Sequence, residues 1–315
     1  MVNLTDIKKA HTRIKHMINK TCVMKSRTLN KKLESEIFFK CENFQRVGAF
    51  KFRGVCNKIL LLNQMERQKG VVTHSSGNHA QAVALASSIM GIKSVIVMPK
   101  NAPKVKVEAT RNYGAEIIFC KNSVKDREEN CKKLMKKYGY TLIHPYDDDQ
   151  IIAGAGTAAY ELIKEIGIVD YIFCPVGGGG LLSGTSIATK GLSSKSQVIA
   201  VEPEKADDAY RSFKNGKLYP SHYPGTIADG LRTSLSERTF KIIRKNVDDI
   251  ITVSEKEIIE AMKFLWTRMK IVVEPSGAVP LAGIIKFGKT HKNKKIGMII
   301  SGGNVDLDDY FTKLH

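Results

Sequence analysis

The chain has no run of about 18 apolar residues, so no helix that spans a bilayer is expected. Residues 1–20 are polar and charged and contain no signal-peptide core. The six cysteines, Cys22, Cys41, Cys56, Cys120, Cys131 and Cys174, form no C-x-x-C pair. Several of them sit inside apolar runs, the pattern of reduced structural thiols in the cytosol. No short-period repeat and no low-complexity linker occurs. Acidic residues are in short supply: 31 Asp and Glu face 50 Lys and Arg, for a net charge of +19. The excess lysines are spread along the chain, with clusters no larger than Lys132-Lys133 and Lys292–Lys295. Without aromatic interleaving or a nucleic-acid motif, this charge reads as a solvated surface with a modest attraction for anionic substrates.

At 315 residues and 43% hydrophobic content, the chain is long enough for two domains with full cores. Short apolar runs predict strands near Ile37–Cys41, Val71–Thr73, Ser94–Met98, Glu116–Cys120, Tyr171–Pro175, Gln197–Glu202 and Lys295–Ser301. Helical patterns lie between many of them, at Val105–Tyr113, Lys125–Lys137, Gly156–Ile166 and Glu255–Met269. Alternation of strand and helix predicts α/β architecture, with parallel sheets covered on both faces.

Three strand-to-helix junctions carry chemistry. In the first, Gly48-Ala49-Phe50-Lys51-Phe52-Arg53-Gly54 follows the run Ile37–Glu42, so a strand delivers Lys51 to the start of a helix. An amine held against apolar walls loses hydration, which lowers its pKa. Such a lysine can form a Schiff base with an aldehyde. In the second, Gly177, Gly178, Gly179 and Gly180 join the run Tyr171–Val176 to a helix from Leu181 to Lys190. Consecutive N–H groups there converge with no Cβ in the way, and the helix start favours an anion: a phosphate cradle. It is no Walker loop, because no Lys-Ser/Thr pair follows, and no acidic residue completes a dinucleotide fingerprint. In the third, Ser75-Ser76-Gly77-Asn78-His79 precedes a helix from about Ala80 to Met90. Its hydroxyls, amide and N–H groups suit a carboxylate and a ring oxygen. Ser76 or Asn78 also fits as an ordinary N-cap.

Together these segments resemble the fold type II pyridoxal phosphate enzymes, in the serine racemase and serine/threonine dehydratase group. The matching stretches run in order along the chain: FFKCENFQRVGAFKFRG (38–54), THSSGNHAQA (73–82), IAGAGT (152–157), PVGGGGLLSG (175–184), VEPEKADD (201–208), TIADG (226–230), VVEPSGA (272–278) and SGGNVD (301–306). The resemblance implies two open-sheet domains like those of the tryptophan synthase β subunit, with the cofactor in the cleft between them. The small domain is expected at 70–147 and the large domain at 1–69 with 148–315.

The resemblance also implies roles. Lys51 holds the cofactor and acts as acid/base on one face, and Phe50 packs beside the ring. Asn78 hydrogen-bonds the ring 3′-oxygen, and Gly177–Gly180 with Leu181 bind the phosphate. Gly230 and Glu274 border the cofactor, and Ser301 partners the pyridine nitrogen. A neutral hydroxyl there makes the ring a weaker electron sink, which favours elimination or reprotonation. Ser75, Ser76, Asn78 and His79 grip the substrate carboxylate, although a structural hydrogen-bonding role fits His79 equally. Racemisation needs a second acid/base opposite Lys51, and Ser76 supplies a hydroxyl where threonine dehydratases usually carry alanine. Ala80 stands where animal racemases usually have glycine, and SSGNHAQA and EPSGAVP are shared with dehydratases, including those acting on 3-hydroxyaspartate. Both activities are therefore expected, since both pass through one carbanion.

Glu202, the Ala206 carbonyl and Asp208 match the racemase metal site, which implies Mg²⁺, or Ca²⁺ or Mn²⁺, in a structural role; a solvated acidic turn is the alternative. Gln81, Tyr113 and Lys270 match residues that contact an ATP effector in animal racemases. A cytoplasmic homodimer is expected. With the sequence ending at His315, no C-terminal regulatory domain and no isoleucine feedback are expected. A β-replacing synthase of the same fold would carry a T-S-G-N-T loop in place of residues 75–79, and a non-enzymatic basic scaffold would not need Lys51, Asn78, the glycine cup and Ser301 together.

Overall fold

A computed structural model describes residues 2–307 except 103, 222, 223 and 289. Ten strands form two sheets. They are β1 (Val23–Lys25), β2 (Glu36–Cys41), β3 (Val71–His74), β4 (Ser94–Pro99), β5 (Glu116–Cys120), β6 (Thr141–Leu142), β7 (Tyr171–Pro175), β8 (Gln197–Pro203), β9 (Asp249–Val253) and β10 (Lys295–Ile300). The larger sheet has the order β1-β2-β10-β7-β8-β9 and the smaller β5-β4-β3-β6. Every pairing is parallel except β1 with β2. A parallel strand buried on both faces needs side chains that are apolar on both. All six residues of β4 are buried, and so are all but the first of β8 and β10. The edge strand β5 instead leaves Phe119 exposed.

The seven expected strands are all present, within one residue of the expected ends. Three more, β1, β6 and β9, are edge strands; β1 and β6 are too short to show a pattern, whereas β9 carries the β-branched run Ile250-Ile251-Thr252-Val253. The helix expected at Gly156–Ile166 begins at Asp149, because the Asp148 side chain caps it by accepting the N–H groups of Gln150 and Ile151. Gly154 and Gly156 in that helix are packing contacts. A Cβ on Gly154 would lie 2.6 Å from the Gly54 Cα, and one on Gly156 would lie 2.7 Å from the Gly184 carbonyl oxygen. The last turn of the helix expected at 255–269 is wound as a π-helix, Leu265–Met269, closed by Lys270 in the left-handed region.

The helix that starts at Lys51 is bolted to helix Asp149–Ile166 by buried charges. Arg53, fully buried, donates to Glu42 (2.6 and 2.9 Å) and to Glu161 (2.8 Å twice). Lys40, also fully buried, sits 2.8 Å from Glu161. Two cations thus face two carboxylates. Burial disfavours the Arg53 charge, but Glu42 and Glu161 outweigh it and hold the guanidinium firmly protonated.

Candidate active site

Lys51 does not leave the strand directly, as the sequence pattern implied. Two 3₁₀ turns, Glu42–Phe44 and Arg46–Gly48, lie between β2 and the helix Lys51–Leu60. Lys51 Nζ donates to the Pro145 carbonyl (2.7 Å) and lies 5.1 Å from the Phe50 ring centre. Burial lowers its pKa to about 8, with Glu274 pulling the other way. The desolvated amine expected from the sequence is therefore in place.

Residues 75–79 open the helix Asn78–Ile89. Neither Ser76 nor Asn78 is the N-cap; Gly77 is, and no side chain caps the helix. Ser75 Oγ instead accepts the Gly77 N–H (3.2 Å). A Cβ built on Gly77 would meet nothing within 4 Å, so this helix start faces open space. His79 points elsewhere. Its Nε2 lies 2.9 Å from the Ile143 carbonyl oxygen and 3.1 Å from Thr73 Oγ1. A carbonyl can only accept, so Nε2 carries the proton. Burial, and then Lys51, hold the ring pKa well below its usual value, so it is neutral. The imidazole is taken up by Thr73 and Ile143 and offers no charge to a carboxylate.

Asn78 turns its amide nitrogen to Glu274 (2.9 and 3.1 Å) and its oxygen to Asn304. Burial raises the Glu274 carboxyl to about 7. Ser301 is buried at the end of β10, and its carbonyl accepts the Phe50 N–H (3.0 Å), tying the lysine turn to this loop. Gly230 donates its N–H to Ser276 Oγ (3.0 Å).

The four glycines after β7 bend the chain into helix Gly180–Leu192. Gly179 takes φ +84° at its N-cap, and again no side chain caps the helix. A Cβ on Gly177 would approach the Leu231 Cα to 2.9 Å, one on Gly178 would run into the Tyr146 ring, and one on Gly180 would lie 2.8 Å from Tyr146 Cβ. Only glycine fits this cradle, and its bare N–H groups suit a phosphate.

Tyr146, which covers the cradle, was not anticipated. It belongs to the turn His144–Asp147. There His144 Nδ1 accepts the N–H groups of Tyr146 (3.3 Å) and Asp147 (2.8 Å), and burial lowers its pKa to about 4. Ser236 Oγ donates to Asp147 (2.9 Å). Lys106, between β4 and β5, donates to Asp229, beside Gly230, across the gap between the two sheets (2.6 Å). The one signal for Tyr146 was a proline-containing turn ahead of a helix; for Asn304 it was the SGGN stretch itself.

Glu202 ends β8 buried and accepts the N–H groups of Ala209 (3.0 Å) and Tyr210 (2.7 Å). Asp208 is buried, and neither of its oxygens has a hydrogen-bond partner among the described residues. Burial, and then Asp208, push the Glu202 carboxyl up; burial lifts Asp208 to about 7. Ala206 is buried in the intervening 3₁₀ turn. The described residues contain no cluster of three or more His, Cys, Asp or Glu, so Glu202 and Asp208 are the carboxylates at this site. The orphaned Asp208 oxygens fit a hard cation. Gln81 is buried in helix Asn78–Ile89, Tyr113 packs half-buried on the same core, and Lys270 is exposed on the large-sheet side. Among the hydrogen bonds of the described residues, none joins any two of these three.

Residues 14–302 match the model of the family described as "Pyridoxal-phosphate dependent enzyme". The chain is 50% identical to a serine racemase of Dictyostelium discoideum over 311 residues, covering 97% of this chain and 96% of that one. It is 49% identical to an L-threo-3-hydroxyaspartate ammonia-lyase of Saccharomyces cerevisiae, covering 98% and 94%. The structure of a maize serine racemase superposes with a TM-score of 0.97 at 42% identity, covering 99% of this chain and 97% of that one.

Proposed function

Because the chain belongs to the family of pyridoxal-phosphate-dependent enzymes, we propose that it interconverts L- and D-serine and also eliminates serine to pyruvate and ammonia. One observation carries this reading. A desolvated Lys51 amine shares a site with the uncapped, serine-bearing start of helix 78–89, in a chain that resembles serine racemases over nearly its whole length.

When bound, pyridoxal phosphate would supply an electron sink for the pair left on the α-carbon as its proton is removed. The chain supplies the rest. The N–H groups of the cradle at Gly177–Leu181 hold the phosphate. Asn78 donates to the ring oxygen, Phe50 packs on the ring, Gly230 and Glu274 border it, and the Ser301 hydroxyl partners the ring nitrogen. The helix start at 75–79 holds the substrate carboxylate through Ser75, Ser76, Asn78 and the His79 N–H. Lys51 Nζ takes or returns the α-proton on one face and Ser76 Oγ on the other. Loss of the β-hydroxyl competes with that return.

Glu202, the Ala206 carbonyl and Asp208 hold Mg²⁺, or Ca²⁺ or Mn²⁺, structurally; the two unpartnered Asp208 oxygens support this. We draw the domain limits at 70–147, which contains every strand of the small sheet, and at 1–69 with 148–315. A homodimer is supported by exposed Phe44 and Val272 on segments joined by Asn43 Nδ2 and the Val272 carbonyl. A cytoplasmic location is supported by six unbonded cysteines. An ATP effector is tested by titration against variants of Tyr113 and Lys270.

Elimination of L-threo-3-hydroxyaspartate is the second reading, favoured by a relative of that name at comparable identity. Purified protein with pyridoxal phosphate and Mg²⁺ is assayed on L-serine, L-threonine and L-threo-3-hydroxyaspartate, following D-serine by chiral chromatography and keto acid in the same tube. D-serine at a rate comparable to pyruvate is expected. Keto acid without D-serine would leave a dehydratase. Ser76→Ala should remove racemisation and keep some elimination; unimpaired racemisation would end the two-base assignment.

A further inference from the structure

We propose that Asn304 is a positioning residue, which fixes the end of the Asn78 amide that faces the cofactor. The inference rests on the cofactor reading above.

An asparagine amide can flip, and its two ends offer opposite hydrogen bonds. A ring oxygen needs the donor end. The direction is set here by a backbone group that cannot reverse. The Val47 carbonyl only accepts, and Asn304 Nδ2 lies 2.7 Å from it. The same nitrogen lies 2.8 Å from Asn78 Oδ1. Both Asn304 amide hydrogens are then used, and the Asn78 oxygen must face Asn304. Its nitrogen is left for the Glu274 carboxylate, at 2.9 and 3.1 Å. The Asn304 backbone N–H reaches the same carboxylate (3.2 Å), so Glu274 holds both asparagines. The relay runs from Val47 through Asn304 to Asn78 and Glu274, and it turns the Asn78 amide nitrogen to the Glu274 side, where the cofactor reading places the ring.

Two backbone features show that the surroundings hold this arrangement. Val47 is buried at φ +56°, a left-handed conformation that a β-branched residue keeps only under constraint. It thereby aims its carbonyl at Asn304. Gly48, at φ +66°, makes room: a Cβ there would lie 2.6 Å from Asn304 Oδ1.

The test uses Asn304→Ala, Asn304→Asp, Asn78→Ala and the double alanine variant. Three quantities are read: the melting midpoint of the cofactor-free protein, pyridoxal phosphate affinity by absorbance titration, and the pH dependence of the bound cofactor's visible band. Losing one hydrogen bond to a charged ring oxygen weakens binding about tenfold. Asn304→Ala should show that loss, with a band titration shifted toward that of Asn78→Ala. Asn304→Asp should be worse, because an acceptor facing the Val47 carbonyl forces Asn78 to turn. In the Asn78→Ala background, Asn304→Ala should add less than about twofold, since the two act as one unit.

An unchanged band and affinity in Asn304→Ala would overturn the proposal. So would single effects that multiply in the double variant, or a lower melting midpoint with the band unmoved, which would mark a merely structural residue. If Asn304→Ala fails to fold, Asn304→Ser, whose hydroxyl still serves the Val47 carbonyl, carries the same readings. A parent protein without a visible band would instead refute the cofactor reading itself.

Discussion

At the scale of single residues, Lys51 decides most. With a pKa of about 8, its neutral, nucleophilic form falls about tenfold per pH unit below that value. Cofactor capture followed by stopped-flow absorbance should slow accordingly from pH 8 to pH 6 and level off above 8. A flat profile would show that Lys51 is not the captor. The same shift bears on stability. Between about pH 8 and the usual lysine value, the unfolded chain holds a proton that the folded chain does not, so cofactor-free stability rises with pH across that window. Below it, the burial cost is fully present. Lys51→Met should therefore stabilise the cofactor-free protein at pH 7 by about 1–2 kcal/mol, discounted for partial exposure, while abolishing the visible band and turnover. Lys51 was legible because its cues are contiguous in the chain. Asn304 was not, because its side-chain partners, Asn78 and Val47, lie 226 and 257 positions away.

At the scale of elements, glycine substitutions separate packing from chemistry. Gly184 crosses helix Asp149–Ile166 so closely that a Cβ would lie 2.5 Å from the Gly156 N and the Ile152 carbonyl oxygen. Gly184→Ala should cost about 1–3 kcal/mol by denaturant melts, since only backbone can yield. Gly77→Ala meets open space and should leave stability within about 0.5 kcal/mol. It should nonetheless raise the KM for serine, because the added methyl stands at an uncapped helix start. Equal effects of the two substitutions on stability would contradict this division. The junctions at 75–79 and 177–180 could be read from sequence because strand, glycine and helix follow one another directly. The strands β1 and β6 could not, since two or three residues at a sheet edge carry no pattern of their own; β9, with Ile250-Ile251-Thr252-Val253, was legible and was missed. The glycines of IAGAGT give no sign in sequence of the close helix crossing that they permit.

At the scale of the whole molecule, buried and exposed ion pairs should behave oppositely. Arg53→Ala would leave Glu42 without a cation in the interior and Glu161 with Lys40 as its remaining buried cation, at a cost of about 3–5 kcal/mol. Lys106→Ala removes a partly exposed pair between the sheets and should cost less than about 1 kcal/mol. Thermal melts of both variants check the contrast. Chelation of divalent cations should lower the melting temperature, and Mg²⁺ should restore it; Asp208→Asn should be insensitive to both. The parallel α/β plan was legible from periodicity, but the Arg53 network was not, because nothing local marks a buried arginine. The two helices whose N-caps are Gly77 and Gly179 both lack a side-chain cap. If the phosphate and the substrate carboxylate bind at these starts as proposed, they would supply the missing caps, and the fold would be completed by what it binds. The cofactor-free form would then be the one proteases clear first, so the protein's lifetime would follow its occupancy by the cofactor.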